Sequence, residues 1–241
     1  MSKRINIGLA DLHVHTIYSY DGTASVPAVL ERAKQVGLDV IAITDHDEIK
    51  GALKALELAP NYDLEVLPGI EVTTADGDLL ALNVTQKIQR GLSLMDTLRE
   101  VGDLGGYCVA PHPTAVGMDM KSLTWNSISS TIRKPDLAKI LIAIETYNAT
   151  SLDKEGNHYA EVLATRYHIA KTGNSDAHIL DAIGLGMTEF PGTSAADLLS
   201  ALQNGTTVAR KGKEWNAVKI LGSWLVKYTA SALNHFSLAA Q

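Results

Sequence analysis

Short runs of apolar, often β-branched residues alternate along the chain with longer stretches in which apolar positions recur every three or four residues. The runs predict strands over 5–15, 39–46, 64–73, 78–84, 107–112, 140–148 and 171–176. The wider spacing predicts helices over 27–35, 47–59, 152–170 and 194–203. Pro27 suits a first helical turn, Gly37 a stop, and Asp47 is expected to cap the second helix. Strand and helix alternating in this way predict an α/β fold of parallel strands with crossover helices. No repeat, low-complexity tract or Pro/Gly/Ser-rich linker divides the chain, so 1–241 reads as one domain. Within it, 115–134 is polar, rich in Ser and Thr and longer than most connections, and is expected to act as a lid. Residues 213–241 are expected to form a helix that docks on the body or on a second copy, giving a homo-oligomer.

Composition narrows the function classes. Of 241 residues, 46% are hydrophobic and 20% charged, values of an ordinary globular protein. The formal charge of −6, from 21 basic and 27 acidic residues, argues against the cationic track that duplex nucleic acid needs, so no duplex partner is expected. Cys108 is the single cysteine, which excludes an internal disulfide framework and a Cys-rich zinc site and suits a reducing cytoplasm. The apolar stretch before Asp11 is too brief for a secretory signal. Asn234, His235 and several hydroxyl residues interrupt the apolar C-terminal stretch, so no membrane span is expected.

The chemistry gathers at the ends of the expected strands. His13 and His15 are two residues apart, and in extended chain such a pair shares a face and can point at one ion. Asp45-His46 follows an apolar run, Glu71 and His112 end two others, and Asp176-Ala-His178 repeats the spacing at the last. Polar groups at the carboxyl ends of α/β strands converge on one mouth. There Asp21, Asp45, Glu71 and Asp176 would repel one another unless cations compensate. Five imidazoles and these carboxylates exceed the needs of one divalent ion, which points to two or three ions sharing a bridging carboxylate. Mixed His and carboxylate ligands suit Zn, Mn or Fe.

His13-Val-His15, Asp45-His46, Gly69-Ile-Glu71, Pro111-His112-Pro113 and Ser175-Asp176-Ala177-His178 resemble the four motifs of the polymerase and histidinol phosphatase (PHP) superfamily of metal-dependent phosphoesterases. The resemblance spans Asp11 to His178, and Glu145-Thr-Tyr-Asn148 with Gly184-Leu-Gly186 is similar to its tryptophan-operon-linked branch. It implies a distorted (β/α)7 barrel. It further implies one ion on His13, His15, Glu71 and Asp176, a second shared by Glu71 and His112, and a third on Asp21, His46 and His178. Asp45 is expected behind the ligands, orienting the His46 imidazole, and Asn148 is expected to support the ligands from the same position. Asn174 departs from the branch, which often has glycine there, and only Glu71 and His112 are clear protein ligands for the second ion.

The expected reaction is hydrolysis of a phosphate ester by a metal-activated water, with Asp176 or His178 as candidate catalytic proton donors. Arg133, Lys134, Arg210 and Lys211 are candidate phosphate clamps. The expected substrate is a small nucleotide, a sugar phosphate or the end of a short single-stranded oligonucleotide. Two alternatives are an amidohydrolase, for which a metal-bridging lysine on a middle strand is missing, and a non-catalytic metal-binding module, for which degenerate ligands would be expected.

Overall fold

The computed structural model describes residues 6–115, 121–213, 215, 219–220 and 222–229. Among these residues nine strands form one sheet: β1 (Ile7–Asp11), β2 (Val40–Ile43), β3 (Glu65–Thr73), β4 (Asp78–Leu82), β5 (Tyr107–Ala110), β6 (Leu141–Asn148), β7 (Ala170–Asn174), β8 (Gly186–Pro191) and β9 (Val208–Lys211). Their spatial order is β7-β6-β5-β4-β3-β2-β1-β8-β9. All seven expected strands are present, and the distorted α/β barrel implied by the resemblance is the fold observed, with its sheet nearly closed.

The expectation of uniformly parallel strands needs correction. β4 runs antiparallel to both β3 and β5, and β8 runs antiparallel to β1 and β9. The β3–β4 turn explains the first reversal: Gly77 has φ 143°, and the Thr74 hydroxyl donates to its carbonyl while receiving the N–H groups of Asp76 and Gly77. β8 and β9 escape the pattern reading because β8 carries a terminal proline and β9 is short and largely exposed.

Helices α1 (Val26–Val36), α2 (Lys50–Leu58), α3 (Leu94–Asp103), α4 (Trp125–Ile132), α5 (Pro135–Ala138), α6 (Lys154–Tyr167) and α7 (Ala195–Gln203) cover the sheet. Pro27 lies in the first turn of α1, and Gly37 closes it in the left-handed conformation, as expected. Asp47 does not cap α2. Its carboxylate accepts the Thr73 N–H at 2.9 Å, and the Glu48 carboxylate instead takes the N–H groups of Ile49 and Lys50. Asp153, Ser93 and Ser194 accept backbone N–H groups at the starts of α6, α3 and α7.

Alternating side chains divide the core. Ile41, Ile43, Ile70, Val72, Leu79 and Ala81 face α1, α2 and the other covering helices. Val40, Ala42, Leu67, Leu80, Leu82, Val109 and Ala143 fill the barrel interior, which Leu198, Ala201 and Leu202 of α7 plug at its amino end. Closure between β7 and β8 uses side chains: the Thr188 hydroxyl accepts Gly173 N–H and donates to its carbonyl. A Cβ at Gly173 would lie 2.6 Å from the Met187 carbonyl, so this seam requires glycine. At the carboxyl end the seam closes by backbone bonds, His15 N–H to Ala177 O at 2.9 Å and Ala177 N–H to His13 O at 3.3 Å.

Of the expected lid, 115 and 121–134 are described and 116–120 lie outside the described residues; 121–134 holds the helix α4, whose Ile128 and Thr131 are buried. The segment is tied to the mouth at Thr114 N–H to Leu123 O and Asp78 N–H to Lys121 O. Of the expected C-terminal helix 213–241, 219–220 and 222–229 are helical, and 214, 216–218, 221 and 230–241 lie outside the described residues.

Candidate metal centre

The inner-face alternation that fills the barrel with Leu67, Leu80, Leu82 and Ala143 continues toward the mouth as Glu71 and Glu145 in β3 and β6 and as Asp78 at the start of antiparallel β4. Apolar filling thus gives way to carboxylates at the mouth. The seam bonds on either side of Val14 hold it extended, so His13 and His15 share a face as their spacing predicted. His46 pairs by its backbone with Glu71 where β2 and β3 end.

Glu71 is the hub. Its Oε2 lies 3.1 Å from His13 Nε2, 3.3 Å from His15 Nε2 and 3.2 Å from His46 Nδ1, and its Oε1 lies 3.3 Å from His112 Nε2. Asp176 Oδ1 lies 3.4 Å from His13 Nε2 and 3.3 Å from His15 Nε2. On the outer side, Asp21 Oδ2 meets His178 Nε2 at 3.1 Å and His46 Nε2 at 3.4 Å. The eight predicted ligands therefore converge.

Electrostatics follow from burying these charges together. Burial opposes ionisation of Glu71 and Asp176, yet the surrounding imidazoles, His13 foremost, hold both well below the usual carboxylate range. Burial works against a charged His13, but Asp176, Glu71 and Glu145 raise it well above its usual value; in the same way Glu71 and Asp21 push His46 up to about 9. His15 goes the other way, to about 4, through burial and repulsion by His178 and His46.

Two carboxylates were missed as site residues. Glu145 Oε1 lies 3.2 Å from His13 Nδ1, and its Oε2 accepts the His112 N–H at 2.7 Å, so it leaves His13 Nε2 facing the hub. Asp78 falls in one cluster with Glu71 and His112. It is a candidate third donor beside them, and burial with repulsion from Glu71 pushes its carboxyl up to about 6. The Asp76-Gly77 turn was the available signal, because a hairpin brings the amino end of β4 to the mouth.

Around the ligands, the Asn148 amide donates to Glu145 Oε2 and Asp176 Oδ2, both at 3.0 Å. Asn174, the departure from the branch pattern, donates to Glu145 Oε1 at 2.8 Å and accepts the Leu12 N–H. Asp45 does not orient the His46 ring; its carboxylate accepts the Thr16 N–H at 2.6 Å and the Thr16 hydroxyl at 2.8 Å, fixing the loop that leads to Asp21. Ser19 Oγ does the nearer work, accepting the His46 N–H and lying 3.1 Å from His15 Nδ1.

The candidate phosphate clamps are not brought to this cluster. Arg133 reaches the Tyr167 hydroxyl where α6 ends, toward the amino ends of the strands, and Lys134 reaches Met95. Arg210 pairs with Glu189 at 2.7 Å, and Lys211 lies on exposed β9. Lys121 is the nearer cation, acting on Asp78.

Do the residues fit metal ions? His15 Nε2, Asp21 Oδ1 and Asp78 Oδ1 are buried among the clustered donors without a hydrogen-bond partner. Four groupings of His, Asp and Glu place one ligand atom from each member within 4.8 Å of the others: His15/Asp21/His46/His178, His13/His15/Glu71, His13/His112/Asp176 and Glu71/Asp78/His112. The donor set fits.

A family model for the PHP domain matches residues 11–170, and one described as PHP-associated matches 154–207. The chain belongs to the PHP family. This PHP protein is 35% identical over 114 residues to the uncharacterized protein MJ1587 of Methanocaldococcus jannaschii, covering 43% of this chain and 67% of that one. It is 41% identical over 68 residues to a phosphoribosyl 1,2-cyclic phosphate 1,2-diphosphodiesterase of Eggerthella lenta, 28% of this chain and 26% of that enzyme. In fold it is similar to a two-domain protein of Bacteroides vulgatus containing a predicted PHP-like metal-dependent phosphoesterase, with TM-score 0.71 and 19% identity over 86% of this chain and 66% of that one. It is also similar to Endonuclease Q in complex with a 27-mer duplex carrying an abasic lesion, with TM-score 0.60 and 15% identity over 83% of this chain and 57% of that one. The fold therefore does not itself exclude a duplex, and the net charge of −6 ceases to decide the question. Among the described residues no helix is long and apolar enough to cross a membrane.

Proposed function

We propose that this PHP protein is a metal-dependent phosphoesterase that cleaves a phosphate ester of a small nucleotide or sugar phosphate, or the end of a short single-stranded oligonucleotide. The observation that carries the reading is the Glu71 carboxylate set among four imidazoles, with Asp176 and Asp78 beside them. His13, His15, Glu71 and Asp176 would hold one ion, Glu71, His112 and Asp78 a second, and Asp21, His46 and His178, with His15 beside them, a third. Divalent ions there would acidify a water and neutralise charge building on the phosphoryl group.

The chain's own groups do the rest. Glu145 and Asn148 keep His13, His112 and Asp176 aimed inward. Asp176, held ionised by the imidazoles around it, would serve as a ligand, and His178 would give a proton to the departing oxygen only while no ion occupies the outer position. The likeness to a cyclic phosphate diesterase and to an endonuclease favours diester over monoester bonds.

The test is a hydrolysis screen of the Zn-, Mn- or Fe-loaded protein against mononucleotides, cyclic and bridged phosphodiesters, single-stranded oligonucleotides and a duplex with an abasic lesion. Turnover of small or single-stranded diesters is expected. Turnover of the duplex alone would overturn the size assignment, and no hydrolysis with any metal would overturn the reading as a whole.

A further inference from the structure

Of the eight predicted ligands Asp21 and His178 are the most exposed: their side chains keep 16% and 22% of their accessible surface, and both lie outside the regular strands and helices. Asp21 lies in the loop between β1 and α1, and His178 on the turn after β7. Two bonds tie these segments together, from the Thr23 N–H at 3.2 Å and the Thr23 hydroxyl at 2.8 Å, both to the His178 carbonyl.

A third connection comes from far along the chain. The indole Nε1–H of Trp224 donates to the carbonyl of Asp21 at 3.1 Å. Its ring stacks on Tyr228, one turn further on, with centroids 5.1 Å apart and planes 16° from parallel. Between them Lys227 pairs with Asp181 at 2.9 Å, in the short 3-10 turn Leu180–Ala182 that follows His178. The helix at 222–229 thus touches both loops that carry the outer ligands. Its bond to Asp21 is made to the backbone, which leaves the carboxylate free for His46 and His178.

We infer that Trp224 is a positioning residue for the outer metal position, so that the C-terminal helix sets how tightly the cluster of His15, Asp21, His46 and His178 holds an ion. The inference rests on the reading of that cluster as a metal site. Lys227 contributes less, because its ion pair with Asp181 is exposed and such pairs are weak. A partner outside the ligand shell that fixes a ligand typically carries about 10–100-fold in metal affinity.

The experiment is a calorimetric Mn2+ titration of the metal-stripped full chain, with elemental analysis after desalting, for the wild type, Trp224→Phe, Lys227→Met and Asp21→Asn. Phe keeps an aromatic ring to stack on Tyr228 and removes the N–H donor together with part of the indole's volume. Trp224→Phe is expected to weaken one class of sites about tenfold, the same class that Asp21→Asn removes, and to leave the other classes within about twofold. Lys227→Met should shift that class by less than about threefold. Melting curves guard against a merely structural role, which would lower Tm and weaken all sites alike. Unchanged titrations in Trp224→Phe, or a uniform loss, would overturn the inference. So would an Asp21→Asn protein with full wild-type stoichiometry, which would still leave the Glu71 hub and the proposed hydrolysis standing. A chain that titrates as expected but hydrolyses nothing would overturn the proposed function alone.

Discussion

The two ends of this barrel are made by the same strands and differ in everything that matters to chemistry. At the amino ends, Tyr107, Ile142, Tyr167, His168 and Leu202 line a cavity of about 650 Å³. Toward the mouth, the hollow beside Thr114, Leu152 and Tyr159 measures about 400 Å³. The larger space gathers no ligand cluster among the described residues, whereas every cluster of donors lies at the carboxyl ends. Backbone strain is used differently too. His168, at φ 53°, ends α6 in the left-handed form, while His112 and Asp176, at φ 28° and 53°, adopt positive φ where they aim ligands. Convergence of donors, and not volume, locates the site.

The sharpest way to break this comparison is at the hub. Glu71→Gln keeps the shape and removes the charge that four imidazoles share; hydrolysis should fall at least about a thousandfold, roughly 4 kcal/mol in the barrier, with loss of bound metal. Rates and elemental analysis of the folded variant would measure it, and near-normal turnover would contradict the hub's role. Asp78→Asn should cost less, about 10–100-fold in affinity at the second position, read by metal titration; an unchanged titration would remove Asp78 from the ligand set.

A third outcome concerns protons. In the metal-free chain His46 is pushed up to about 9 and His13 is held well above its usual value, so both are protonated near neutral pH. Ions must displace those protons. Apparent metal affinity should therefore rise with pH through the range in which His46 titrates, near 9, with proton release visible by calorimetry in buffers of different ionisation enthalpy. Affinity independent of pH would contradict the imidazole ligation. The smallest effect belongs to the far end: Arg133→Ala, which removes the contact to Tyr167, should leave kcat/KM within about twofold, as for most surface substitutions. A large rise in KM would restore Arg133 as a phosphate clamp.

The strand-end histidines and Glu71 were legible because spacing alone puts them on one rim. Asp78 was not, since a reading that assumes parallel strands looks for ligands only where strands end, and β4 presents its beginning. Asp45 and Asp47 show the converse error: each stands next to or near a ligand in sequence, but its carboxylate is claimed by the backbone of Thr16 or Thr73, a tertiary choice that local pattern does not reveal. β9 left no hydrophobic trace because its residues are mostly exposed.

The seam where β1 meets the segment after β7 means that the pairs His13/His15 and Asp176/His178 arrive from opposite ends of the barrel's chain, with the neighbouring Leu12–Asn174 bond spanning 162 residues. Joining such distant segments requires the intervening chain to be largely in place, and the entropy of closing so long a loop falls on the last step. The metal site is in this sense a record of completed topology. A chain stalled before closure would carry His13 and His15 on one side of the open seam and Asp176 and His178 on the other, and ions captured across the seam would act as its fastener, making release of metal and opening of the barrel one coupled event.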